Sequence, residues 1–417
     1  MRIDFILTWR KIAAALALAV LAALLVSWSG MVSISAASGH FAPVRWFLGW
    51  TMENAVERQS LLVASPPEID ISDPVLVWRA AGHYATVCSP CHGAPGVAQS
   101  PIVIGMTPSP PRLEERVGDW DDKELFWIVR NGIKYSGMPA WPALERDDEV
   151  WAQVAFLRAM PRMSAETYAG MAFGDATPEE MLEGPGDSTV ETALADCARC
   201  HGRDGLGRGP GAAGAAFPVI AGQPEAYLYQ TLLAFRDGMR GSGFMEPPAR
   251  RYDRATLRAL AAHYAGQPRP AGARAVPESP TVEAEEPTVI RQDEAGRLEG
   301  DGSVSGLAVP RSAAGGPPDR RSGLLELGRR IASEGLPARK VPACESCHSA
   351  GGGRDFYPYL AGQPEWYIAE HLHLWREGQR GGTAFAHIMD EIARHLNPEQ
   401  IEAVAAWYAA GSQAGSR

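Results

Sequence analysis

The sequence predicts an all-α chain, with three helical units in tandem after an apolar N-terminal helix. Three observations predict it. One five-residue word occurs three times, apolar residues recur at helical spacing around each copy, and polar, proline- and glycine-rich stretches separate the copies. The word reads Cys88-Ser89-Pro90-Cys91-His92, then Cys197-Ala198-Arg199-Cys200-His201, then Cys344-Glu345-Ser346-Cys347-His348.

A C-x-x-C-H run is the attachment signature of a c-type haem. Two thiols three residues apart can each form a thioether to one porphyrin vinyl group, and the next histidine then lies beneath the ring as an axial iron ligand. A zinc half-site or a thioredoxin-like redox pair would explain the cysteines, but not a histidine after every pair. The three motifs use all six cysteines, which leaves none for disulfides. Three covalently bound haem c groups are therefore expected. At 417 residues there is room for two to four domains, and the formal net charge of −10 argues against nucleic-acid binding.

Arg2, Arg10 and Lys11 face a single Asp4, and no charged residue then occurs from Ile12 to Gly39. Such a stretch can span a bilayer, and its basic flank directs the remainder outward. Residues 1–40 are thus read as cytoplasmic N-terminus and membrane anchor, or as a signal peptide cut near Ala36-Ala37. Phe41, Trp46, Phe47 and Trp50 follow, as in an interfacial aromatic belt or as core packing against the first unit.

Unit one covers residues 70–163. A short helical pattern (Trp78, Ala81, Ala85) leads into its motif, and helices are predicted from Glu124 to Ile133 and from Asp147 to Met160. Residues 164–187 read as a short linker. Unit two covers 188–270 and unit three 322–413, with a proline-, glycine- and glutamate-rich linker over 271–321. These two units are internal repeats. Ala221-Gly222-Gln223-Pro224 answers Ala361-Gly362-Gln363-Pro364, and Arg236-Asp237-Gly238 answers Arg376-Glu377-Gly378. Asn397-Pro398-Glu399-Gln400 supplies a cap, a first-turn proline and a capping-box partner for the last helix.

A second axial ligand has to come from later in each unit, and a thioether is an established partner of histidine. Unit three holds one methionine, Met389. In unit two, aligning back from the final helix sets Met245 opposite Met389. Each lies four residues before an alanine, Ala249 or Ala393, which leaves Met239 to packing. In unit one, Met138 of Gly137-Met138-Pro139 lies at a similar distance from its motif. The expected metal ligands are thus His92 and Met138, His201 and Met245, and His348 and Met389. Pro111, Pro218 and Pro358 recur after the motifs, where a carbonyl could accept from the proximal imidazole or simply open a turn.

The motif, the Pro-x-apolar segment, the methionine and the final helix together resemble class I cytochromes c. Units two and three are similar to the tandem dihaem cytochrome-c-four group. The resemblance implies that the Pro-x-apolar carbonyl does hold the proximal histidine. It implies an electron carrier with no catalytic residues of its own, on the periplasmic side of a bacterial inner membrane. Its partners would be a quinol-oxidising complex, a dehydrogenase or a terminal oxidase. The alternatives are an electron-relay subunit of a periplasmic dehydrogenase and a dihaem peroxidase-like enzyme, although the latter needs an open iron position. Despite their long linker, units two and three are expected to dock.

Overall fold

The computed structural model describes residues 8–35, 38–64, 69–174, 189–269, 320–349 and 355–413. Among them there is no sheet, only isolated bridges between Ala94 and Val97 and between Leu336 and Val341. The chain forms two compact units, residues 1–173 and 174–417. The 271–321 linker lies almost wholly outside the described residues.

In the first compact unit, α1 (Trp9–Trp28) is long and apolar enough to cross a membrane, and none of its residues is buried. α2 (Ala42–Ser60) divides into two halves. Its C-terminal half buries Val56 and Ser60 and packs on α4 (Asp122–Asn131). Its N-terminal half leaves Trp46 68% and Phe47 53% exposed, so these aromatics are not core packing.

Asp73 caps α3 (Pro74–His83) by accepting from the Val75 N–H at 2.8 Å, and Pro74 supplies the preset first-turn φ. A π-turn, Tyr84–Cys88, then widens the helix where it enters the motif, whose remaining residues form a four-residue helical turn, Ser89–His92. α4 opens with a capping box in which Asp121 and Glu124 each accept from the other's backbone N–H, at 2.8 and 2.7 Å. α5 (Asp147–Ala159) is buried all round from Glu149 to Leu157, because α3 and α4 both pack on it.

The structure corrects the end of unit one. Within the stretch read as linker, Ala165–Phe173 forms α6. Its Tyr168 and Ala172 are buried, and Tyr168 meets Tyr84 edge-on at 6.4 Å. A nine-residue helix carries too few positions for its period to stand out against polar neighbours.

In the second compact unit, α7 (Thr189–His201) runs unbroken into the second motif. α8 (Glu225–Arg236), α9 (Glu246–Arg251) and α10 (Arg254–Ala265) complete that repeat around Leu228, Leu257, Leu260 and Tyr264. The other repeat, unit three, is built from α11 (Arg320–Glu334), α12 (Glu365–Arg376), α13 (Ala386–Arg394) and α14 (Pro398–Gln413). α11 crosses α14 at Gly328, where an added Cβ would lie 2.0 Å from the Ala403 carbonyl oxygen. Around that crossing Ile331, Ile368, Leu372, Ile401 and Val404 form the core. The Asn397–Gln400 capping box is formed in both directions, at 2.8 and 3.0 Å.

Candidate haem sites

Each motif ends in a helical turn, so its histidine leaves the same face as the first cysteine, one turn on. In all three units the imidazole Nδ1–H is aimed at the predicted proline carbonyl. The distances are 2.9 Å from His92 to Pro111, 3.4 Å from His201 to Pro218 and 2.7 Å from His348 to Pro358. With its Nδ1 proton committed there, each ring offers the Nε2 lone pair to a metal. Burial pushes His201 down to about 4 and lowers His92 and His348, while the proline carbonyls work in the opposite sense. The rings are therefore neutral at pH 7, as metal ligands must be. Burial also pushes Cys88, Cys197 and Cys344 up to about 12 and Cys200 to about 11. A disulfide-exchange pair needs an accessible thiolate, so the redox-pair reading loses ground.

The methionines are placed differently. Met138 sits on a tight loop, with the Ile133 N–H donating to its carbonyl at 3.2 Å and its own N–H donating to Ser136 Oγ at 3.1 Å. Gly132 (φ +64°) permits that loop, since a Cβ there would lie 2.5 Å from the Pro139 carbonyl carbon. Trp141 anchors the far side, its indole N–H donating to Glu149 at 3.3 Å. Glu149 pairs with Arg146 at 3.0 Å, and Arg146 and Arg79 each reach Asp148 at 2.8 Å. Burial raises Asp148, but the two guanidiniums outweigh it and hold the carboxyl well below its usual range. Met245 is the N-cap of α9, whereas Met389 lies in the first turn of α13 and packs with Cys344 on one core. The alanines four residues on, Ala249 and Ala393, are both buried, as the alignment requires. Met239 does not fill a core. Its side chain is 64% exposed, while its backbone abuts Gly382 of the other repeat.

Several contributors were not singled out in the sequence. Gln99 Nε2 donates to the Cys91 and Pro110 carbonyls at 2.8 and 2.9 Å, tying the first motif to its Pro-x-apolar segment. Tyr84 and Tyr264 donate to the carbonyls of Gly93 and Gly202, the residues after the first two motif histidines, at 2.7 and 3.1 Å. The largest omission is the joint between the repeats, which dock as expected. Gln363 accepts from the Val219 N–H at 3.0 Å and donates to the Val219 carbonyl at 2.6 Å. Gln223 does the same to Tyr359, at 2.9 and 3.0 Å. Val219 and Tyr359 are equivalent positions, so the joint is pseudo-two-fold. Arg240 and Arg380, also equivalent, lie 4.4 Å over Phe235 and 3.7 Å over Trp375. Arg240 further donates to the Tyr367 hydroxyl at 3.3 Å.

These residues fit haem. The chain offers paired thiols, an oriented neutral imidazole and a half-buried thioether in each unit. In the second compact unit, Arg240 Nε, Trp375 Nε1 and Tyr408 Oη are buried without a hydrogen-bond partner among the described residues. Such atoms suit a group that brings its own carboxylates.

Comparison with known proteins agrees. Residues 77–157 match the family of cytochrome c oxidase, cbb3-type, subunit III. The thiosulfate dehydrogenase electron acceptor of Stutzerimonas stutzeri is 30% identical over 51% of this chain and 77% of its own length. Its counterpart from Thiomonas intermedia is 29% identical, over 52% and 78%. Cytochrome c4 of Pseudomonas aeruginosa is 28% identical, over 53% and 87%. With its attachment motifs, its proline-held histidines and these relatives, the chain belongs to the electron-transfer cytochromes c, and its second and third units resemble cytochrome c4.

Proposed function

We propose that the protein is a trihaem relay, fixed to the bacterial inner membrane by α1, with its haem units in the periplasm. It would pass single electrons from a periplasmic dehydrogenase to a membrane acceptor. Haem c, when bound, supplies the one-electron couple at each site. The thiols of Cys88 and Cys91, Cys197 and Cys200, and Cys344 and Cys347 would attach the haems. His92, His201 and His348 would ligate the irons, with Pro111, Pro218 and Pro358 fixing the imidazole orientation. Met138, Met245 and Met389 would be the second ligands, a set that suits electron transfer over substrate chemistry.

The observation that carries this reading is the proline carbonyl aligned on Nδ1 of every motif histidine. The choice of a dehydrogenase as donor rests on relatives that are themselves thiosulfate dehydrogenase electron acceptors. A protein of that chemistry is the first candidate partner. Intact mass and a pyridine haemochrome assay should give three haems per chain, and fewer would remove the trihaem reading. A dehydrogenase co-purifying from detergent-solubilised membranes, and reducing the cytochrome on addition of its substrate, tests the partner. Recovery of soluble protein beginning near Ser38 would replace the anchor with a cleaved signal.

A further inference from the structure

The joint between the repeats ends one residue away from the proline that holds each proximal histidine. Gln223 grips both backbone groups of Tyr359, and the preceding residue, Pro358, carries the carbonyl that receives His348 Nδ1–H. In the mirror arrangement Gln363 grips Val219, which follows Pro218 and so His201. Both glutamines are buried, at 4% and 5% exposure; each amide bonds both backbone groups of one residue across the joint, and Gln223 Nε2 also reaches the Val219 carbonyl of its own repeat at 3.5 Å. A side chain that bonds both faces of one residue fixes the adjoining peptide planes. The plane it fixes includes the carbonyl that the imidazole reads.

From this geometry we propose that Gln223 and Gln363 are crossed positioning residues, each setting the axial histidine of the other repeat and hence the reduction potential of the other haem. The proposal rests on the haem reading above. A strong Nδ1–H···O=C bond raises the donor strength of the imidazole and stabilises the ferric state. Loosening the peptide that carries the carbonyl weakens that bond and raises the potential. The two sites are unequal. The His348–Pro358 bond is 2.7 Å, within the strong range, whereas His201–Pro218 at 3.4 Å lies beyond it. Loss of Gln223 should therefore move the third haem more than loss of Gln363 moves the second.

The test uses the full holoprotein with Gln223→Met and Gln363→Met, which keep side-chain length and remove the hydrogen bonds. Intact mass comes first, because a count below three haems would bear on the haem reading and not on this one. Haem-methyl NMR signals, assigned to units with Met245→His and Met389→His, are then followed through a redox titration. Gln223→Met should raise the third haem's potential by up to about tenfold in its redox equilibrium, about 59 mV, and leave the second nearly unmoved. Gln363→Met should raise the second by less. A shift confined to the substituted unit, an equal shift of both, or no shift with three haems loaded would each overturn the proposal. Should Gln223→Met fail to load, Gln223→Leu removes the same hydrogen bonds without adding a charge. It should shift the third haem in the same direction, and an unmoved third haem would likewise overturn the proposal.

Discussion

The two repeats of the second compact unit agree in one half and diverge in the other. Downstream of the motif they match closely. The proline carbonyl, the crossed glutamine, the stacked arginine and the closing helix all recur, and the Gly222 and Gly362 N–H groups donate to the carbonyls of Tyr264 and Tyr408 at 2.8 and 3.2 Å. Upstream they part. α7 delivers the second motif as one continuous helix, whereas α11 stops at Glu334 and a tight hairpin bridged by Leu336 and Val341 intervenes before Cys344. Contacts that orient the histidine and join the repeats are retained. The route by which the cysteines arrive is free to change, because a covalent attachment needs only local spacing.

The comparison breaks most visibly at the sixth ligand. Met245→Ala and Met389→Ala should each abolish about a third of the near-infrared sulfur-to-iron band expected of three such sites. Met239→Ala, at an exposed side chain, should leave the band whole. The opposite result in unit two would mean that the repeats do not share a distal position.

A smaller effect sharpens the upstream difference. Gly328→Ala forces a methyl against the Ala403 carbonyl and should destabilise unit three by about 1–3 kcal/mol, seen as earlier loss of its Soret circular dichroism in urea. Unit two, whose motif helix contains no glycine, should melt as before.

The caps give the finest contrast. Asn397→Ala should cost unit three about 1 kcal/mol in the same urea experiment. In unit two the equivalent cap is Asp253, which accepts from the Thr256 N–H at 2.8 Å, and that bond lowers its pKa. A carboxyl with a lowered folded-state pKa contributes stability above its ordinary value of 3.8, and this is lost as pH falls through the folded value. Hydrogen exchange below pH 4 should therefore loosen the start of α10 before the start of α14. Equal loosening would show that the caps are interchangeable.

Much of this was readable in the sequence, because motif chemistry and helix signals are local. The attachment residues, the prolines, the Asn397 box and the Met245–Met389 correspondence all follow from short spacings. What was not readable depends on distant partners. Gln223 and Gln363 look like parts of a helix start, yet their ligands lie 136 and 144 residues away in the chain. The end of α11 is marked by Gly335 and Pro337, the usual close of a helix, but nothing local marks the pairing of Leu336 with Val341 that makes the hairpin. α6 escaped notice because nine residues in a polar setting read as linker.

The four glutamine bonds across the joint have one more consequence. They join amide to peptide, and none involves a formal charge. Added electrolyte screens attraction between oppositely charged surfaces within about 10 Å at 0.1 M, but it hardly touches buried neutral dipoles. Ionic strength can thus release an electrostatically held redox partner while the joint between repeats stays shut, so docking and internal alignment answer to separate controls.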